Sequence, residues 1–197
     1  MPDVVLREVR ARSRGVWAYP INEVIIVDFG ANRALLPSDV ERHRGVFAAA
    51  DVVISQLEIP PETAAAAMRI GRESGVITIL NPEPLRPIGD DAWEKIDIVT
   101  PNEIEARMIV GQSAGESDSH EEVAKQIVEK GVGSVVMTLD ERGAYVCSSS
   151  FTGMVPGRSV DTVDTTGAGD AFAAPIATAP AEGATLRGAT ALSLSAR

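Results

Sequence analysis

A short segment near the C-terminal end combines residues that could handle a phosphoryl group. The run Asp164-Thr165-Thr166-Gly167-Ala168-Gly169-Asp170 has two glycines and an alanine where a predicted strand gives way to a helix. Main-chain N–H groups can converge there on an anion, because the glycines carry no obstructing Cβ atom. The adjacent carboxylate of Asp170 can accept the proton of an attacking hydroxyl. The segment indicates phosphoryl transfer, although such a turn taken alone is more often only a tight connection.

The composition favours one domain that acts on a small molecule. The chain has 197 residues, of which 45% are hydrophobic, and this is enough for one well-filled core. Its net charge of −10 argues against nucleic acid or an anionic membrane as the main partner, because phosphate groups attract clustered Lys and Arg. We find no signal-peptide pattern and no apolar run of membrane-spanning length, and we therefore expect a cytosolic protein.

The cysteine and histidine content argues against a disulfide or a structural zinc. The chain has one cysteine, Cys147, and two histidines, His43 and His120, which form no cluster at metal-ligand spacing. Cys147 lies in an apolar run and is expected to be a buried, inert thiol.

Alternating β-prone and helical segments predict the α/β class, as a three-layer, doubly wound and mainly parallel sheet. The predicted parallel strands are residues 51–55, 76–80, 96–100 and 134–138. The predicted helices are residues 38–50 with Ser38 as N-cap, 61–74, 102–110 and 121–130. Antiparallel strands are predicted at residues 143–147 and 151–155, and a hairpin at residues 15–19 and 24–28. Pro175 and Pro180 predict that the helix after the glycine-rich turn is kinked or cut short.

Polar segments follow the four predicted parallel strands, at the edge where such sheets bind ligands. They are residues 56–58, 81–84, 100–105 and 138–143. Each segment alone could be an ordinary turn, and Asn102 could simply cap its helix.

Taken together, these segments resemble the ribokinase family, the pfkB-type carbohydrate and nucleoside kinases, and most of all the ribokinases. The matching segments, in family order, are residues 30–32, 56–60, 81–84, 100–106, 138–143 and 163–172. The resemblance implies ATP-dependent phosphorylation of a sugar hydroxyl. It also implies a partial β lid at residues 1–30 and an incomplete ribokinase-like nucleotide-binding domain at residues 31–197.

The resemblance also implies roles for individual residues near the phosphates. Asp170 matches the general base, and Gly167, Ala168 and Gly169 match the anion hole. Asn102 and Glu105 match the motif that organises Mg²⁺ and phosphate, largely through water.

Four further positions match the nucleotide, sugar and cation sites of the family. Thr138 and Gly143 match the nucleotide loop, in which Asp140 stands where the family usually has glycine. Glu58 resembles a position near the sugar, or is a solvated residue that flanks a helix. Asp164 matches a position associated with a monovalent cation such as K⁺, or is a turn carboxylate.

Parts of the family pattern have no counterpart in this sequence. The family's opening strands, its early Asn-x-Asp sugar contact, its Gly-Gly motif and its last nucleotide loop are not found, and we expect a chain truncated at both ends. The alternative function is a non-catalytic nucleotide-binding remnant. Ribose is the favoured sugar, with fructose, ketodeoxygluconate or a nucleoside left open, and pairing into a homodimer is left open as well. No Gly-x-Gly-x-x-Gly follows the first strand, which argues against a dinucleotide-dependent oxidoreductase.

Overall fold

A six-stranded sheet forms the centre of the computed structural model, which describes residues 30–112, 118–157 and 168–195. Its strands are β1 (Val52–Ser55), β2 (Ile77–Leu80), β3 (Ile98–Val99), β4 (Ser134–Thr138), β5 (Gly143–Cys147) and β6 (Thr152–Pro156). They lie side by side in chain order. Strands β1 to β4 are parallel, and β5 and β6 extend the sheet antiparallel. The carboxyl ends of the four parallel strands therefore share one edge of the sheet.

Helices cover both faces of this sheet. They are α1 (Pro37–Glu41), α2 (Arg44–Ala48), α3 (Pro61–Glu73), α4 (Asp90–Trp93), α5 (Glu103–Ile109), α6 (His120–Glu129), α7 (Ala168–Ala181) and α8 (Leu186–Ser193). Neighbouring strand residues point to opposite faces, so that Leu80 packs with α3 to α6 while Ile79 packs with α7 and α8. The two apolar cores on either side of one sheet confirm the predicted three-layer α/β fold.

The first helical segment differs from its prediction. Residues 38–50 form two short helices, α1 and α2, and the N-cap of α1 is Leu36 instead of Ser38. Pro37 has no N–H and a fixed φ, which suits the first helical position and sets the start there. The carboxylate of Asp39 accepts the main-chain N–H of Leu36 at 2.8 Å. The prediction of one helix capped by Ser38 is therefore wrong.

Helix α7 runs for 14 residues through both Pro175 and Pro180. The helix is therefore not cut short, and the kink, which was the other predicted outcome, stays a prediction. The apolar side of α7 buries Phe172, Ile176 and Ala179 in the core shared with α8. Burying side chains such as Phe and Ile contributes about 1.5–3 kcal/mol each, which offsets the cost of about 3 kcal/mol for an interior proline.

Cys147 is buried in β5, as predicted. Among the described helices, none has the length and apolar character needed to cross a membrane. The predicted hairpin at residues 15–19 and 24–28 lies outside the described residues, and so does the predicted lid at residues 1–30 apart from Gly30.

Candidate active site

Asp170 and Gln56 meet at the carboxyl end of β1. Asp170 lies in the first turn of α7, and Gln56 directly follows the last residue of β1. The Nε2 of Gln56 donates a hydrogen bond to Oδ1 of Asp170 at 2.8 Å. Both side chains line a cavity of about 310 Å³, together with Ile54, Ser55, Asn81, Ala173, Ala174 and Ala177. The predicted base thus lies at the edge where parallel sheets bind their ligands.

The segments that follow β1 and β2 are joined through their main chains. The N–H of Asn81 donates to the carbonyl oxygen of Ser55 at 2.9 Å, and the N–H of Leu57 donates to that of Glu83 at 3.0 Å. Asn81 is only 6% exposed, and its side-chain amide has no hydrogen-bond partner among the described residues. Its amide can therefore bind a polar ligand in the cavity.

Asn102 and Glu105 form a reciprocal cap at the start of α5. Oδ1 of Asn102 accepts the N–H of Glu105 at 2.8 Å, and Oε2 of Glu105 accepts the N–H of Asn102 at 2.9 Å. Burial raises the pKa of Glu105, the bond from Asn102 opposes this rise, and the nearby charge of Glu83 adds to it. Asn102 therefore does cap its helix, and its phosphate role stays a prediction.

Glu83 brings a further carboxylate to the same edge. A Cβ atom built on Gly169 would lie 3.6 Å from Oε2 of Glu83, so this carboxylate approaches the first turn of α7. Its charge also acts on Glu105. The sequence assigned no role to Glu83, although it lies in one of the four polar segments predicted to converge.

The predicted nucleotide loop joins β4 to β5. The N–H of Thr138 donates to the carbonyl oxygen of Pro101 at 2.9 Å, which ties the end of β4 to the start of α5. Asp140 has φ of +51° and is the one described residue other than glycine with positive φ. Gly143 has φ of +106°, and a Cβ atom there would lie 2.2 Å from the carbonyl oxygen of Val155. The loop therefore depends on Gly143, while its role in nucleotide binding stays a prediction.

An ion-pair cluster centred on Glu103 braces this loop against α5 and α6. The carboxylate of Glu103 contacts the guanidinium of Arg142, and its Oε1 lies 3.0 Å from Nε2 of His120 and 3.4 Å from Arg107. Burial on its own raises the pKa of Glu103, but hydrogen bonds from Arg142 and His120 outweigh burial and lower the pKa to about 2. Nothing in the sequence pattern indicated this cluster.

The structure does not bring every predicted site residue into the cavity. Glu58 lies exposed in the segment after β1 and does not line the cavity. Ala168 begins α7, which puts its main chain in the first turn. Gly167 and Asp164 lie outside the described residues. The roles predicted for these four residues stay predictions.

The described residues contain no group of three or more His, Cys, Asp or Glu side chains arranged to hold a metal ion. Mg²⁺ needs fewer protein ligands than this, because it usually keeps several waters and binds one or two carboxylates. Glu105 and Glu83 fit that requirement, since the charge of Glu83 raises the pKa of Glu105 and a cation beside them would relieve the repulsion.

Comparison with known proteins agrees with this architecture. Residues 21–195 match the pfkB family of carbohydrate kinases. The chain belongs to this family. The match confirms the resemblance that the motifs indicated.

Within the pfkB family, the chain is similar to ribokinases. It is 33% identical over 148 residues to the ribokinase of Staphylococcus aureus, a match that covers 75% of this chain and 49% of the relative. It is 38% identical over 153 residues to the bifunctional ribokinase/ribose-5-phosphate isomerase A of Fructilactobacillus sanfranciscensis, covering 78% of this chain and 28% of the relative.

A solved ribokinase shares the fold. The structure of Arabidopsis thaliana ribokinase complexed with ribose and ATP superposes with a TM-score of 0.76 at 26% identity, covering 87% of this chain and 56% of that one. The chain therefore spans about half the length of the ribokinases that it matches.

Proposed function

We propose that this chain acts as an ATP-dependent sugar kinase that transfers the γ-phosphoryl group to a sugar hydroxyl, with ribose as the favoured acceptor. The observation that carries the proposal is the position of Asp170, in the first turn of α7 and at the carboxyl end of β1. Membership of the pfkB family and similarity to ribokinases support it. The alternative of a non-catalytic nucleotide-binding remnant is not favoured by these relatives.

Asp170 is the proposed general base. An alcohol is a weak nucleophile at neutral pH, and a carboxylate within about 3 Å of the hydroxyl oxygen can accept its proton as the bond to phosphorus forms. One oxygen of Asp170 is held by Gln56, and the other has no hydrogen-bond partner among the described residues. This second oxygen is the one that would accept the proton.

The start of α7 supplies the proposed anion hole. The first N–H groups of a helix have no partner within the helix, and the helix dipole adds partial positive charge there. The main-chain N–H groups of Ala168 and Gly169 lie in this turn, and Gly167 precedes it. Developing negative charge on the transferring phosphoryl oxygens would be stabilised by these donors.

The nucleotide would be bound by Asn102 and by the loop that contains Thr138, Asp140 and Gly143. Glu105 would hold Mg²⁺ through water, with Glu83 close enough to contribute. Bound there, the ion would supply charge neutralisation between the phosphates.

On the sugar side, we propose that the buried amide of Asn81 binds sugar hydroxyls in the cavity, with Glu58 as a further contact. A cavity of about 310 Å³ lies at the small end of the range for ligand sites, roughly 300–1,000 Å³, and suits a monosaccharide. Asp164 is the proposed ligand for K⁺. Pairing into a homodimer stays a prediction.

The test is transfer of labelled phosphate from ATP to ribose by this chain and by the Asp170→Asn variant. Loss of the base should lower kcat by about a hundred- to ten-thousandfold. Asp91→Asn is the matched control, because Asp91 is exposed in the first turn of α4 and should leave kcat unchanged. Equal rates for wild type and Asp170→Asn would contradict the assigned role.

Ligand-dependent melting distinguishes the kinase from the remnant. A kinase should be stabilised by ADP and also by ribose, because a ligand that binds only the folded state raises its melting temperature. Stabilisation by ADP alone, without phosphate transfer, would favour the remnant.

A further inference from the structure

We propose that Gln56 is a positioning residue for Asp170, whose side-chain amide holds the carboxylate in the orientation that accepts the proton of the sugar hydroxyl. The inference rests on the proposed kinase function. It concerns the hydrogen bond of 2.8 Å from Nε2 of Gln56 to Oδ1 of Asp170.

The main chain around Gln56 is fixed on both sides. The carbonyl oxygen of Ser55 accepts the N–H of Asn81 at 2.9 Å, and the N–H of Leu57 donates to the carbonyl oxygen of Glu83 at 3.0 Å. Between them, the carbonyl oxygen of Gln56 itself accepts the hydroxyl of Ser55 at 2.9 Å. Leu57 is 1% exposed and anchors the segment in the core. The Gln56 side chain therefore extends from a fixed point.

Asp170, in contrast, has few restraints of its own. Its side chain is exposed in the first turn of α7, where an unheld carboxylate can occupy several rotamers. The bond from Gln56 selects one rotamer and uses one of the two carboxylate oxygens. Oδ2 is left without a hydrogen-bond partner among the described residues, and it remains available to the substrate hydroxyl.

The chemistry of the donor also suits a base. A side-chain amide is neutral and holds a carboxylate without placing a positive charge against it. Glu103 illustrates the opposite case, since its hydrogen bonds from Arg142 and His120 outweigh burial and lower its pKa to about 2, which makes it a poor proton acceptor. An amide partner fits an acid that must accept a proton, whereas a guanidinium fits a structural ion pair.

The first test compares Gln56→Ala, Gln56→Glu and wild type in the transfer of phosphate from ATP to ribose. Removing a hydrogen bond to a charged group should lower kcat by about ten- to a hundredfold, with little change in the KM for ATP. Gln56→Glu should lower kcat further, because it sets a like charge against Asp170. If Gln56 acted only by packing, Gln56→Glu should lose less kcat than Gln56→Ala, because Glu has nearly the shape of Gln. A smaller loss in Gln56→Glu than in Gln56→Ala would overturn the proposal.

The matched control is Gln126→Ala. The Nε2 of Gln126 donates to Oδ2 of Asp118 at 3.0 Å, which is the same kind of bond, in α6 and outside the candidate site. Loss of this hydrogen bond in Gln126→Ala should leave kcat unchanged. An equal loss of kcat in Gln126→Ala and Gln56→Ala would overturn the assignment.

A double variant tests whether Gln56 acts through Asp170. Added to Asp170→Ala, the change Gln56→Ala should cause no further loss of the residual rate, because the group that it orients is already gone. A further loss as large as that in the wild-type background would show an independent role and would overturn the proposal.

One measurement needs no activity. If the wild-type chain transfers no phosphate, the kinase function fails, but the side-chain amide resonance of Gln56 still reports on the contact. The proposal expects this resonance to shift in Asp170→Ala and to stay in place in the exposed-residue control Asp91→Asn. An unchanged resonance in Asp170→Ala would overturn the contact itself.

Discussion

Asn102 and Glu105 cap α5 reciprocally, with each side chain accepting the main-chain N–H of the other residue at 2.8–2.9 Å. The same two side chains are the proposed ligands for phosphate and Mg²⁺. The proposed ligand sites therefore coincide with the residues that cap the helix, and substitutions at this pair must be interpreted with a control for the cap.

Ser119 provides that control. Its hydroxyl oxygen accepts the N–H of Glu122, whose carboxylate accepts the N–H of Ser119, so α6 begins with the same kind of reciprocal cap as α5. We expect Asn102→Ala and Ser119→Ala each to lower the free energy of unfolding by about 1 kcal/mol, measured by urea denaturation. Only Asn102→Ala should also raise the KM for ATP. Equal effects of both variants on that KM would contradict a role for Asn102 in nucleotide binding.

The Glu83→Gln variant should lower the pKa of Glu105. The charge of Glu83 adds to the rise that burial causes in this pKa, and Gln keeps the shape of the side chain without the charge. The pKa can be followed through the carboxyl carbon resonance of Glu105 in an NMR titration. Glu62→Gln, which changes an exposed acid in the first turn of α3, is the control and should leave the resonance unmoved. A pKa of Glu105 that stays constant or rises in Glu83→Gln would contradict the electrostatic link.

Acid should weaken the fold partly through Glu103. The pKa of Glu103 is about 2 in the folded chain against an ordinary 4.5. Its contribution to the free energy of unfolding is therefore complete above pH 4.5 and is lost as the pH falls toward 2. A pKa shift of this size means that ionised Glu103 stabilises the fold by at most about 3 kcal/mol. Solvent screening around the exposed Arg142 makes the stabilisation smaller than this limit.

The variant Glu103→Gln isolates this effect from the other carboxyl groups, including Glu105, whose raised pKa acts in the opposite direction. Between pH 4.5 and pH 2 the free energy of unfolding should fall less steeply in Glu103→Gln than in wild type. Parallel curves for the two proteins would show that the ion-pair cluster does not stabilise the fold.

Gly143 and Gly75 should respond very differently to alanine. Both have positive φ, +106° and +74°, but a Cβ atom on Gly143 would lie 2.2 Å from a carbonyl oxygen, whereas on Gly75 it would meet nothing within 4 Å. We expect Gly75→Ala to cost about 1 kcal/mol of unfolding free energy, and Gly143→Ala about 4 kcal/mol or more, because the loop between β4 and β5 must shift. Similar losses of unfolding free energy in the two variants, measured by thermal or urea unfolding, would show that the loop between β4 and β5 rearranges at little cost.

The elements of the central sheet could be predicted closely from the sequence. Strands β4 and β5 have the predicted bounds, because a buried strand requires a short apolar run and the chain supplies such runs between turn residues. The predictions of helix bounds were wrong where individual side chains determine where a helix begins or ends. Pro37 sets the start of α1, and the buried face of α7 stabilises a helix that continues through Pro175.

The sequence likewise predicted one part of the candidate site and missed another. The convergence of Asp170 with the polar segments after β1 and β2 followed from the rule that parallel strands expose their carboxyl ends at one edge. The hydrogen bond from Gln56 to Asp170 did not follow from the sequence, because the two residues lie 114 positions apart and nothing in the segment 56–60 indicates which of its side chains contacts Asp170.

By itself, the sequence determined the α/β class, the edge of the sheet that carries the candidate site and the acid that lies there, since apolar runs and motif order are local properties of a chain. Only the tertiary structure decided which side chains touch, Gln56 with Asp170 and Glu103 with Arg142, and that Glu83 approaches the first turn of α7. Such contacts depend on the strand register and the rotamer of each residue, which are set by the packing of segments far apart in the sequence.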